Sequence, residues 1–141
     1  GYEAICCERQ PLIALLLRDA MRLLAETEWA QKNKVSVPVV ETGDALDLLG
    51  NGAFSADCIY LDPMFPSKRK SSAMANKSME LLHGLIGEDI DAESLLCHCV
   101  QKYPRTVVKR PNYAPPLWRE PDEQFTGKLI RYDVYFQSKS K

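Results

Sequence analysis

The sequence predicts an α/β fold with a mainly parallel sheet and helices on both of its faces. Short apolar runs alternate with amphipathic helical stretches along most of the chain. Helix-starting prolines and glycine turns separate those runs, and no internal repeat interrupts the order. With 141 residues, 45% of them hydrophobic and 26% charged, the chain has material for one packed domain. That domain is expected over residues 1–137, followed by a loose Ser/Lys tail at 138–141.

Each element has a local reason. "YEAICCE" (2–8) is a short apolar run expected as a buried strand. "PLIALLLRDAMRLLAE" (11–26) opens with proline at a helix-starting position and sets Ile13, Leu16, Leu17, Ala20 and Leu24 on one face. "VSVPVVE" (35–41) is a strand containing Pro38, which lacks an amide donor and so predicts a sheet edge. "DALDLLG" (44–50) is a short helix stopped by Gly50, Asn51 and Gly52, and "DCIYLD" (57–62) is the next buried strand. Helices near 74–86 and 91–102 form the crossover to a strand at "RTVVKR" (105–110). "LIRYDVYF" (129–136), behind the turn at Gly127, is a last strand with alternating faces.

The bulk chemistry excludes several classes. A net charge of −1 argues against a surface built throughout for nucleic acid, so such a partner needs a local patch; Lys68, Arg69 and Lys70 supply one. No run approaches the roughly 18 apolar residues of a membrane span, and no secretory leader pattern opens the chain. A soluble, cytoplasmic protein is expected. Five cysteines make an odd count without a secretory signal, so reduced thiols are expected rather than a disulfide framework. Cys97 and Cys99 flank His98, but positions i and i+2 of a helix face different ways and His83 lies on another predicted helix, so no metal site is expected.

Ligands of parallel α/β sheets bind at the carboxyl ends of the strands, and three such ends here carry acids. They are Glu8 to Arg9, Gly43 to Asp44, and Asp62 to Pro66. A carboxylate ending a strand can accept both hydroxyls of a ribose, and one opening the following helix can accept an exocyclic amine of adenine. Together they suggest a nucleoside-containing cofactor. Singly, Asp44 is equally a helix N-cap and Glu8 a solvated strand end.

The stretch "DPMFP" (62–66) is sharper. Prolines on either side of Met64 and Phe65 stiffen the turn and remove amide donors, so carbonyl acceptors remain. Asp62 and the Pro63 carbonyl can then receive the two hydrogens of an amino group on a heteroaromatic ring, with Phe65 stacked on that ring. Such an amine is a poor nucleophile because its lone pair is delocalised. Acceptors that hold its hydrogens out of conjugation favour attack on an electrophilic methyl group, so positioning and electrostatics carry the catalysis. Lys68, Arg69 and Lys70 follow at once, where they can hold phosphates beside an extruded base; a plain solvated loop is the other reading of that run.

These residues carry a resemblance. "DPMFP" resembles the (Asp/Asn)-Pro-Pro-(Tyr/Phe) signature of amino-group methyltransferases that use S-adenosylmethionine. "YLDPMFPSKRKS", "VVKRPNYAPPL" and "CERQP" together resemble the RsmJ family, bacterial methyltransferases of guanine N2 in 16S, small-subunit ribosomal RNA. The resemblance spans nearly the whole chain and implies a Rossmann-like class I methyltransferase fold. It implies S-adenosylmethionine as donor, S-adenosylhomocysteine as product, and 16S RNA or the small subunit as partner. It places Glu8, Arg9, Asp44, Ala45 and Asp62 on the cofactor, and Asp62, Pro63 and Phe65 at the chemistry. Met64, Pro66, Lys68, Arg69, Lys70, Lys109 and Arg110 fall on the RNA side. Asn112 stands where relatives often have aspartate, which weakens a charge-based role there.

One family feature has no counterpart. The family's first strand and glycine-rich turn precede the position of Gly1, and Tyr2 to Glu8 corresponds to the second strand. Without that strand, either the sequence is the carboxy-terminal part of a longer enzyme and binds cofactor weakly or not at all alone, or the surviving strands pair directly. Two rival functions follow: the same chemistry on adenine N6 or a protein amide, and a non-catalytic RNA-binding fragment.

Overall fold

The structure is a computed structural model and describes residues 2–50, 54–64, 84 and 89–137. The helix expected near 74–86 and the tail at 138–141 therefore lie outside the described residues, Gly84 apart. The chain divides into two compact units, Gly1–Phe54 and Ser55–Lys141.

In the first unit β1 (Ile5–Glu8) pairs in parallel with β2 (Val39–Thr42), Ile5 opposite Val39 and Glu8 opposite Thr42. Between them run α1 (Pro11–Glu26) and the short α2 (Glu28–Lys32), and α3 (Ala45–Gly50) follows β2. Pro11 sits in the first turn of α1, where a missing amide hydrogen costs nothing. The inward side of α1 is Ile13, Ala14, Leu17, Met21 and Leu24, spaced by three and four. Leu16 and Ala20, expected on that face, are exposed; the helix is rotated so that Ala14 makes its closest approach. Arg18 ties the helix to the sheet, its guanidinium donating twice to the Val40 carbonyl.

Two expectations for this sheet need correction. β1 is not buried: Ile5 and Cys7 are exposed, and only the alternate side, Cys6 and Glu8, is half-covered. Its sole strand partner among the described residues is β2. Pro38 lies just before β2 rather than inside it, so the ladder loses no donor. The five-residue α2 was not predicted; its local signal is Thr27, whose Oγ1 accepts the Ala30 amide at 3.1 Å as an N-cap.

The second unit holds a four-stranded sheet in the order β3 (Ile59–Leu61), β4 (Arg105–Pro111), β6 (Ile130–Phe136), β5 (Glu123–Thr126). β3 and β4 are parallel, whereas β6 runs antiparallel to both β4 and β5. Parallel pairing thus holds for β1–β2 and β3–β4, with an antiparallel hairpin beyond β4. β5 is the unpredicted strand of that hairpin, closed by the Gly127 amide donating to the Ile130 carbonyl at 2.8 Å. All four of its residues are exposed, so no apolar alternation announced it.

Helix α4 (Ala92–Lys102) covers one face of this sheet with Ala92, Leu96, Cys99 and Val100, again at helical spacing. Leu96, Val100, Val108 and Tyr135 form the core, with Leu61 and Leu117 packed against it. Alternation along β4 and β6 puts Thr106, Val108, Arg110, Arg131, Asp133 and Tyr135 on that covered side. It puts Val107, Lys109, Tyr132 and Val134 on the other.

Candidate active site

β3 and β4 are parallel neighbours, so their carboxyl ends lie together, and Asp62 directly follows β3. Alternation from Tyr60 turns Asp62 to the face that carries Lys109. Lys109 Nζ donates to Asp62 Oδ2 at 2.9 Å, linking residues 47 apart in sequence. That hydrogen bond raises the Lys109 ammonium above its ordinary pKa. Tyr60 and Tyr132 flank it with ring centroids 6.4 Å apart. Burial, with the Asp62 charge adding, also raises the Tyr60 hydroxyl.

The next residues are held as firmly. Met64 donates its amide to Asp89 Oδ2 at 2.7 Å, across 25 residues. This fixes the peptide joining Pro63 to Met64, and with it the direction of the Pro63 carbonyl. The Asp62 carboxylate and the Pro63 carbonyl therefore form an edge of acceptors beside Lys109, braced through the Met64 amide by Asp89. Asp89 was not singled out from the sequence; only its partner's position reveals it. Phe65, Pro66, Lys68, Arg69 and Lys70 lie outside the described residues.

Arg110 has a different place from the RNA-facing one expected. It is on the covered side of β4, buried, with Nη2 donating to the Pro115 carbonyl at 3.1 Å. Burial, reinforced by the neighbouring Arg131 charge, lowers its guanidinium pKa. Strand alternation separates it from Lys109, which turns the opposite way. Its work is to hold the loop after β4.

Arg131 does more of that work, and neither it nor Asp133 was flagged from sequence. Arg131 Nε and Nη2 pair with both oxygens of the fully buried Asp133, at 2.8 and 3.1 Å. Its Nη1 donates to the carbonyls of Pro111, Asn112 and Ala114 at 3.1, 3.2 and 2.8 Å. Gln124 supplies a further donor to Asp133. The one available signal was the i, i+2 placement of opposite charges in a strand pattern, which puts both on one face. Asn112 explains its own identity: its Nδ2 donates to the Gly127 carbonyl at 2.9 Å, which an aspartate could not do.

In the first unit Glu8 and Asp44 stand at the carboxyl ends of the parallel pair β1–β2. Glu8 Oε1 accepts the Gln10 amide at 2.7 Å and Asp44 Oδ1 accepts the Leu46 amide at 2.9 Å. Each acid thus uses one oxygen to start the helix behind it, with Arg9 and Ala45 next in the chain. Gly43 makes the turn into Asp44 with φ 156°, a conformation that a side chain disfavours.

Comparison with known proteins decides the family. A family model described as putative SAM-dependent methyltransferase matches residues 1–137. The chain belongs to this methyltransferase family. Proteins named ribosomal RNA small subunit methyltransferase J are similar to it: 39% identity in Coxiella burnetii, over 96% of this chain and 52% of that protein, and 42% in Hahella chejuensis, over 96% and 50%. The crystal structure of a SAM-dependent methyltransferase from Neisseria gonorrhoeae aligns with a TM-score of 0.67 at 27% identity, covering 97% of this chain and 56% of that one. The fold is accordingly the Rossmann-like one of SAM-dependent methyltransferases. The chain spans about half the length of the curated relatives it matches.

The cofactor that the family's description names is S-adenosylmethionine. The residues present fit it: carboxylates ending adjacent parallel strands, each with one oxygen on its own backbone, are acceptors of the kind that ribose hydroxyls and an adenine amine require. Among the described residues no group of three or more His, Cys, Asp or Glu is placed to hold a metal, and no helix is long and apolar enough to cross a membrane.

Proposed function

We propose that the polypeptide carrying this chain transfers a methyl group from S-adenosylmethionine to the exocyclic N2 amine of a guanine in small-subunit ribosomal RNA, its two units serving one methyltransferase domain. The observation that carries the reading is the acceptor edge at the end of β3: Asp62 oriented by Lys109, and the Pro63 carbonyl oriented through Met64 and Asp89. The relatives' printed names supply the RNA class.

When bound, S-adenosylmethionine supplies a sulfonium-activated methyl group and becomes S-adenosylhomocysteine. Asp62 and the Pro63 carbonyl accept the two N2 hydrogens, aim the nitrogen at the methyl group and stabilise the positive charge that develops on it as the bond forms. After transfer the surplus proton on N2 passes to Asp62 and on to water. Glu8 and Asp44 hold the nucleoside of the cofactor. Lys68, Arg69 and Lys70 serve the phosphates beside the extruded base, Phe65 stacks on it, and the site of action is the cytoplasm.

The test is methyl transfer by the full polypeptide to small-subunit ribosomal RNA, DNA and protein. Asp62→Ala is expected to lower the RNA rate by about 10²–10³-fold, the scale of removing one positioned polar group. Transfer that survives the change sinks this mechanism; transfer to DNA or a protein amide moves the same chemistry to another substrate.

A further inference from the structure

The Lys109–Asp62 pair has more capacity than holding one amine requires. A carboxylate alone suffices to accept an N–H, and Asn would serve as well. Here a carboxylate with two oxygens lies beside an ammonium 2.9 Å from one of them. Lys109 keeps 28% of its side-chain surface exposed and Asp62 46%, so both can meet a ligand without unfolding the strand ends.

Set against a base edge, the order acceptor, acceptor, donor is selective. Guanine presents N2–H, N1–H and O6 in a row: donor, donor, acceptor. Adenine presents one amine and then the N1 acceptor, and cytosine one amine followed by two acceptors. Only guanine uses both carboxylate oxygens and the ammonium at once. With adenine the second carboxylate oxygen faces the N1 lone pair, acceptor against acceptor, and the ammonium faces C2–H, so two of the three contacts are lost.

We propose that Lys109 is a specificity-determining residue that donates to guanine O6 while Asp62 accepts N1–H and one N2–H, the second N2–H going to the Pro63 carbonyl. This rests on the guanine-N2 reading above and deepens it by assigning the face of the base that is read. The Asp62–Lys109 contact is then the resting form of the recognition edge. Binding adds guanine to it without displacing the lysine, because an ammonium has three donors. Asp89, through Met64, fixes the third contact of the set.

The experiment uses the full polypeptide and a synthetic small-subunit RNA segment whose methylated guanine has been located by mass spectrometry. That guanine is then replaced by 6-thioguanine, which keeps N1–H and the N2 amine but exchanges O6 for a weaker acceptor. Values of kcat/KM are measured for wild type and Lys109→Met on both RNAs. Lys109→Met is expected to lower kcat/KM on guanine by about 10–100-fold, as for a hydrogen bond to a charged group. On 6-thioguanine RNA the same substitution is expected to cost less than about 3-fold, because wild type has already lost the contact. A folding defect in the variant cancels in the ratio of the two substrates. Equal losses on both RNAs overturn the O6 contact and leave Lys109 orienting Asp62 only. No N2-methylguanosine from wild type overturns the underlying reading instead, and this inference falls with it.

Discussion

The acids at the strand ends of the two units are held in opposite ways. Glu8 and Asp44 each bond an amide two residues away. Asp62 meets a lysine 47 residues on, and Asp89 reaches back 25 residues to Met64. Asp44 caps the helix behind it and Glu8 braces the turn into α1, and each keeps an oxygen to offer a ligand. The long-range ones join elements that sequence does not bring together, and their geometry collapses if either partner moves. On the function proposed above, the first kind serves the cofactor's nucleoside and the second the reacting amine.

The long-range ties of the second unit run from Arg131 to the carbonyls of Pro111, Asn112 and Ala114, so the buried carboxylate that holds Arg131 should be the costliest to remove. Asp133→Ala leaves the Arg131 guanidinium buried without its carboxylate and frees the loop that Arg131 holds by three carbonyls. A loss of about 3–5 kcal/mol in denaturant unfolding is expected. A loss under about 1 kcal/mol would show that the loop stands without this pair. Next comes Asp89→Ala, which releases the Met64 amide and lets the Pro63 carbonyl drift. The rate of methyl transfer by the full polypeptide should fall roughly 10-fold or more with KM little changed, since a small misplacement of an acceptor acts on the reacting geometry. Asp89→Asn keeps a carbonyl acceptor and should recover most of the rate.

In the first unit the same comparison predicts a split between stability and binding. Glu8→Ala forfeits one cap-like hydrogen bond, about 1 kcal/mol. It should weaken S-adenosylmethionine binding by the full polypeptide about 10-fold or more, because a charged acceptor is lost. Calorimetric titration and thermal melting of one variant measure both. Glu8→Gln keeps the Gln10 bond, so it should melt like the wild type and still bind less tightly. Equal affinity in all three proteins would reduce Glu8 to a brace of the turn into α1.

What was legible in the sequence follows the same division. Pro11 fixed the start of α1, the Asp44 turn the start of α3, and "DPMFP" drew attention to Asp62, because each signal lies within a few residues. The face of α1 was misplaced at Leu16 and Ala20 because apolar residues nearly surround that helix, and periodicity cannot choose among them. β5 carries no buried residue and could not be found by pattern. Arg110 and Lys109 are adjacent in sequence and equally basic, yet strand alternation sends one inward and the other to Asp62. Only the register with β3 and β6 tells them apart.

The smallest prediction probes a local pair inside the long-range unit. Asp122 accepts both Nη groups of Arg119, three residues away, and the Phe136 amide at 2.8 Å. The Arg119 hydrogen bond first, and the Phe136 amide second, hold the Asp122 carboxyl below its ordinary value. A carboxyl with a folded pKa below its unfolded one binds its proton less tightly when folded, so it stabilises the fold above the unfolded value of 3.8 and loses that contribution as pH falls through the folded value. The pair is about one-third exposed on each side, so solvent screening keeps the contribution under about 1 kcal/mol. Asp122→Asn should therefore melt slightly below wild type at pH 7, and the two curves should converge as the pH drops below 3.8. A gap that persists in acid would assign the effect to the neutral contact with the Phe136 amide, and a large gap at neutral pH would place this partly exposed pair in the same class as the buried Arg131 and Asp133.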